Sequence, residues 1–291
     1  MKTLLPFIGS LLLLSSCVKN NPAPVWLSVS EWQLESNGLG SPEGELTENL
    51  SDAWVYVDNQ FVGIFEVPFK IPLLVNGSNK SVRIYPTIKN NGISATKKIY
   101  PFLEPFEVFA DLVQNDTLHL DPTTRYYQQV DFTIWDFESA DSGIEESPSS
   151  SAALVMVSDP SIIQPFNGGQ FARVVLDETN SNWIASTNFE HVLPKGGAEV
   201  YLEVDYHTEA DVVTGVLAID GTEVTQNPNV QFNGQDPDSV TVEWKKIYID
   251  MTTIVSGSPT ADFFRNSFEA ILPSGKTQAI INIDNIKVVH F

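Results

Sequence analysis

From Trp26 onward the apolar residues of this chain recur with a period of two, and no stretch keeps a helical period over three turns. Side chains alternate between the two faces of a strand, so a period of two is the mark of sheets with one face in a core. The fold class this dictates is all-β. Val55 and Val57, followed by Phe61 and Phe65, flank Asp58-Asn59-Gln60 and read as a tight hairpin. Further strands are expected at 70–75, 81–89, 93–100 and 106–113, separated by Asn76-Gly77, Asn90-Asn91-Gly92 and Asp116. Asp121-Pro122-Thr123-Thr124 marks a boundary, after which strands recur at 130–137, 154–157, 171–176, 183–188, 198–206, 212–219, 240–249, 263–272 and 280–289. The serine- and acid-rich stretch 138–151 reads as an exposed loop. The expected architecture is a small β-sandwich over 25–120 followed by a larger jelly-roll sandwich over 130–291.

The N-terminus has a different character. Lys2 precedes an apolar run from Leu4 to Leu14, the layout of an export signal and too short to span a bilayer, which needs ~20 apolar residues. Leu14-Ser15-Ser16-Cys17 resembles a lipobox, which implies a cleaved lipoprotein signal peptide over 1–16, lipidation of Cys17 and a tether over 17–24. Cys17 is the single cysteine of the 291 residues, so no disulfide forms within the chain and stability has to come from core burial. Val18 follows it, and by similarity to other lipoproteins this implies the outer membrane, reached through an N-terminal acyl anchor, on either face.

A net charge of −21 repels nucleic acid and anionic lipid surfaces, which removes both as partners of the folded part. With 42% hydrophobic and 11% aromatic residues the chain is globular and not disordered.

Ala53-Trp54-Val55-Tyr56-Val57-Asp58-Asn59-Gln60-Phe61-Val62-Gly63, with Tyr85-Pro86-Thr87-Ile88-Lys89 later, resembles the start of PEGA-type domains. Glu66-Val67-Pro68-Phe69 stands where those domains carry their proline-glutamate-glycine-alanine signature. The resemblance implies a structural or spacer module. In the second half, Trp135-Asp136-Phe137-Glu138, Gly169-Gln170-Phe171-Ala172-Arg173-Val174, Trp244-Lys245-Lys246-Ile247-Tyr248-Ile249-Asp250 and Ile283-Asp284-Asn285-Ile286-Lys287-Val288 resemble, in that order, the galactose-binding-like jelly rolls of carbohydrate-binding modules. What this implies is a glycan partner and a structural calcium held by Glu138 and Asp284, with backbone carbonyls completing the oxygen shell; the alternative is that both acids merely cap strand ends. No other cofactor is expected.

The segment 199–209 carries the most candidate chemistry. Val200, Leu202, Val204 and Tyr206 share one face; Glu199, Tyr201, Glu203, Asp205, His207 and Glu209 share the other. Tyr201, Glu203 and Asp205, with Trp183 as a stacking platform, are the candidate sugar ligands, against the alternative of a solvated outer face. Glu203-Val204-Asp205-Tyr206-His207-Thr208-Glu209 is also similar to the acidic strand of jelly-roll β-glucanases, whose two carboxyl groups lie ~5 Å apart. Here the last glutamate stands one residue too far along. His119, His191, His207 and His290 lack zinc spacing, and there is no glycine-flanked serine or phosphate-cradling loop. The expectation is a non-catalytic protein that binds a glycan through its second sandwich, or alternatively a structural or adhesive envelope protein that docks other proteins; a jelly-roll glycoside hydrolase ranks below both. The PEGA-like first domain and the few aromatic residues expected on sheet faces favour the structural reading, and the carbohydrate-module resemblance favours the glycan one.

Overall fold

The computed structural model describes residues 23–38, 42–159, 161 and 169–291. The chain is all-β, with strands packed as sandwiches. Cys17 and the expected leader over 1–16 lie outside the described residues; among those described, no helix is long and apolar enough to cross a membrane.

The first ten strands are β1 (Val25–Val29), β2 (Gln33–Leu34), β3 (Asp52–Val57), β4 (Gln60–Glu66), β5 (Phe69–Leu73), β6 (Gly77–Lys89), β7 (Lys97–Ile99), β8 (Phe106–Leu112), β9 (Thr117–Leu120) and β10 (Thr123–Thr124). They form a sheet of order β4-β3-β6-β7, with β8 on the free part of β6, and a three-stranded sheet β5-β1-β9. The expected hairpin joins β3 to β4: Val57 pairs with Gln60, and Asp58 and Asn59 both take the left-handed conformation that a two-residue hairpin turn demands. Ala53, Val55, Val57, Val82 and Ile84 turn inward against Leu27 and Val29.

The second group comprises β11 (Asp131–Trp135), β12 (Ile144–Glu146), β13 (Leu154–Val157), β14 (Phe171–Asp177), β15 (Asn182–Thr187), β16 (Val200–Thr208), β17 (Val212–Asp220), β18 (Glu223–Phe232), β19 (Lys245–Asp250), β20 (Phe263–Ile271) and β21 (Gln278–His290), with one short helix, α1 (Thr252–Gly257), after β19. One sheet runs β13-β14-β21-β16-β19, with β11 also on β21; the other runs β12-β15-β20-β17-β18. The core between them holds Val174, Leu176, Trp183, Leu202, Val204, Val216, Phe268 and Ile281.

The hydrophobic cluster of the first group does not stop at its own strands. It takes in Tyr201, Tyr248 and Val289, which stand on the outward face of the β14-β21-β16-β19 sheet. Around those three residues, on β16, β19 and β21, the sheet is therefore covered on both sides, by its partner sheet and by the first ten strands. Seven consecutive residues of β16, Val200 to Tyr206, are buried.

Candidate functional site

The even-numbered side chains of β16 enter the sandwich core. Its odd-numbered ones, expected to face solvent or a sugar, instead meet the first group of strands. Tyr201, Glu203 and Asp205 are buried, and Glu203 is 0% exposed. The expectation that these three side chains present an open binding face is corrected by that packing.

Glu203 is fully partnered. Lys246 Nζ lies 2.8 Å from its Oε2, and the Tyr100 and Tyr126 hydroxyls donate to Oε1 at 2.5 and 2.8 Å. Thr47 Oγ1 donates to Asp205 Oδ2 at 2.6 Å, and Lys246 Nζ donates to Thr47 Oγ1 at 2.9 Å. The Tyr201 hydroxyl donates at 2.8 Å to Asn90, and the Tyr100 ring meets those of Tyr201 and Tyr248. Lys287, wholly buried on β21, donates to the backbone carbonyls of Glu43 (2.6 Å) and Glu45. Two cations and two carboxylates thus close the junction from both sides.

Burial alone would push the Glu203 carboxyl up, but the charges of Lys246 and Lys287 and the bonds from Lys246 and Tyr100 outweigh it and hold it below the ordinary carboxylate range. Burial opposes the charge of Lys246 as well, yet Asp205 and Glu203 raise it above the usual lysine range. Burial dominates at Asp205, which is pushed up, and at Lys287, which burial and the Lys246 charge pull down to about 8. Glu203 is thus held ionised and shut away from solvent.

Trp183, the expected platform, is 1% exposed and stacks inside the second core on Phe268, with ring centroids 6.0 Å apart and planes 18° from parallel. It sits on the inward face of β15, so that expectation is corrected too.

Glu138 and Asp284 stand where the first and last strands of the sandwich pair, Trp135 opposite Ile286. Glu138 Oε1 accepts from the backbone N–H groups of Gly169 (2.6 Å) and Gln170 (2.9 Å). Asp284 is buried, and burial pushes it up to about 8, with the charges of Asp205, Glu138 and Asp136 adding to the rise. Its own Oδ1 accepts from the Asn285 N–H at 2.7 Å. Phe137 and Asn285 both take left-handed backbone angles here. Among the described residues, no three His, Cys, Asp or Glu side chains are grouped to hold a metal ion.

The open surface of the second sandwich is the outer face of β12-β15-β20-β17-β18. A depression of about 300 Å³ lies across it, lined by Glu145, Ser186, Leu217, Gln226, Ser267 and Glu269. Arg265 on β20 bridges to Glu145 at 3.1 Å and Glu190 at 3.3 Å, and Gln226 donates to Glu269. Next to Ser267, Gly215 lets the strands pack close: an added Cβ would come within 2.6 Å of Ser267 Oγ and 3.0 Å of the Asn227 carbonyl. Polar donors and acceptors stand there beside the apolar Pro148, Ile184, Ala185 and Leu217 on a base of strands. These residues went unnoticed in the sequence, although the alternation of β20 places Arg265, Ser267 and Glu269 together on its non-core face.

No protein-family model and no curated protein matches the chain. Among solved structures it is similar to a family 11 carbohydrate-binding module from Clostridium thermocellum in complex with a β-1,3-1,4-mixed-linked tetrasaccharide, at 11% identity and TM-score 0.37 over 54% of this chain and 94% of that one. It is similar to the CBM27-1 module of Caldicellulosiruptor saccharolyticus in complex with mannohexaose, at 12% identity and TM-score 0.37 over 54% and 96%. A third is the CBM22-1-GH10 part of the C. thermocellum xylanase 10B complexed with xylohexaose, at 14% identity and TM-score 0.38, where 55% of this chain spans 28% of that chain.

Proposed function

We propose that this chain is a lipid-anchored, non-catalytic envelope protein of the outer membrane that binds a glycan through its jelly-roll sandwich. The ligand face in this reading is the outer surface of β12-β15-β20-β17-β18. The observation that carries it is the depression across that face, built on strands, while the part of the opposite sheet around Tyr201, Tyr248 and Val289 packs on the first ten strands. The fixed guanidinium–carboxylate groups and the Gln226–Glu269 pair supply the donors and acceptors that sugar hydroxyls need. The locked state of Glu203 supports the absence of hydrolytic chemistry on β16.

A glycan array probed with the chain from Ala23 onward tests this. Binding weakened about tenfold or more by Gln226→Ala or Glu269→Ala, as expected of a central polar contact, supports it; uniform silence, or binding indifferent to both changes, sinks it. The anchor has its own test: Cys17→Ala should move the protein from the membrane to the soluble fraction, and an unchanged distribution would remove the lipid.

The calcium reading rests on the crowd of acids at the first and last strands. A cation beside Asp284 and Glu138 would offset the burial that chiefly raises Asp284 and the repulsion from neighbouring acids that adds to it, and carboxylate oxygens suit a hard ion. Calcium at about 100 times its dissociation constant contributes about 2.7 kcal/mol, so melting in calcium should run several degrees above melting in chelator. Coincident curves would remove the ion.

A further inference from the structure

The first group of strands carries a face that the glycan reading above does not use. Along β3 the residues Ala53, Val55 and Val57 go inward, which leaves Trp54 and Tyr56 outward. On β6 the outward residues include Arg83 and Tyr85, between buried Val82 and Ile84. The register sets them side by side: Trp54 opposite Tyr85, Tyr56 opposite Arg83, and Arg83 opposite Glu107 of β8. A bulge inserts Val62 into β4, so that Phe61, not Val62, stands beside Tyr56.

One rung across four strands therefore reads Phe61, Tyr56, Arg83, Glu107. The rings form a continuous group: Trp54 to Phe61 is 5.4 Å between centroids, Tyr56 to Phe61 5.5 Å and Tyr56 to Tyr85 5.6 Å. Phe61 is 54% exposed. Directly beside the rings, Arg83 Nη2 lies 3.0 Å from both oxygens of Glu107, and Ser81 Oγ donates to the same carboxylate at 2.6 Å. Lys80 and Asp58 make a second ion pair at the turn end. The Trp54 Nε1–H, shielded from solvent, has no acceptor among the described residues.

The geometry points to a second saccharide-binding surface on this sheet, taking a neutral polysaccharide chain. The occupant follows from the mixture of groups. An apolar protein patch laid over the rings would strip water from the Arg83–Glu107 and Lys80–Asp58 pairs without replacing its hydrogen bonds, a costly exchange. A sugar ring has an apolar C–H side for the aromatic faces and an edge of hydroxyls that can both accept from a guanidinium and donate to a carboxylate. Neutrality follows from the net charge of −21, which opposes an anionic glycan. The inference adds a site to the reading above and stands on different residues.

The test is affinity electrophoresis of the chain from Ala23 onward through gels containing xyloglucan, mixed-linkage β-glucan, arabinoxylan or galactomannan. Retardation by at least one of them is expected, weakened about tenfold or more by Tyr56→Ala and by Phe61→Ser, as for loss of an aromatic anchor. Phe61 is exposed enough that its replacement leaves folding intact, which an unchanged melting temperature checks. Gln226→Ala serves as the other arm. Retardation lost only in Gln226→Ala leaves the jelly-roll site standing and overturns this one; loss in Phe61→Ser with Gln226→Ala unaffected does the reverse. Migration unchanged by any of the four polysaccharides overturns the inference.

Discussion

Replacing Lys246 with methionine should lower the stability of the chain by about 3–5 kcal/mol, the usual consequence of leaving a buried charge without its counterion. The stem of the lysine is conserved in length by methionine, so packing changes little and the effect is electrostatic. Glu203 would keep its tyrosine donors but lose the cation 2.8 Å from its Oε2, in a position with no solvent access. Asp205, already pushed up by burial, would lose the same charge. Glu203→Gln in the same background should recover part of the loss, because the amide oxygen still accepts from Tyr100 and Tyr126 while the orphaned charge is gone. Equilibrium urea unfolding reads both. A double variant as unstable as the sum of the two single ones would show that the pair does not couple. The transition shape is informative as well: the lock ties two hydrophobic clusters together, so the parent should unfold in one step and Lys246→Met in two. The sign with pH agrees. Glu203 is held below its unfolded value, so its contribution is present above the ordinary glutamate range and is lost only as pH falls through the depressed folded value.

The junction also marks where reading the sequence succeeds and fails. Alternation assigned the two faces of β16 correctly, with Val200, Leu202, Val204 and Tyr206 in the core. It could not say what covers the other face, because a row of Tyr201, Glu203 and Asp205 has the same period whether it meets water or a second unit of the same chain. A signal did exist in the neighbouring strands. Lys246 is the cross-strand partner of Asp205 and Lys287 that of Glu203, so cations stand opposite both acids; the register that pairs them is a long-range property of the sheet. The strand 154–157 is found as expected, whereas 240–249 shortens to Lys245–Asp250. Two strands of the open face had almost no apolar pattern to betray them. β18, which bears Gln226, is an exposed edge with Pro228 within it, and β12 is three residues inside the stretch read as a loop. Edge strands of this kind are polar because they are not meant to pair again. The aromatic group on β3, β4 and β6 was hidden for another reason: a one-residue bulge decides which side of β4 Phe61 occupies.

Trp183→Ala should be the other severe change, about 3–5 kcal/mol, the cost of emptying a large aromatic site in a packed core. Trp183 stacks on Phe268 within the sandwich, and β15 and β20 are paired through this stretch, Trp183 opposite Ala270, so the walls cannot collapse inward without breaking the sheet register. At roughly 2–4 °C per kcal/mol for a chain of this size, the melting temperature should fall by about 6–20 °C. Trp183→Phe should be far milder. It keeps the ring against Phe268 and removes an indole N–H that is buried without an acceptor among the described residues, a group that itself costs about 1–3 kcal/mol to leave unsatisfied. The same pair of variants separates a core residue from a stacking platform. A platform loses affinity on truncation and keeps its melting temperature; a core residue loses the melting temperature, and what folds binds as before. A Trp183→Ala protein that melts with the parent and fails only on the glycan array would return this tryptophan to the binding face and place the sheet the other way round.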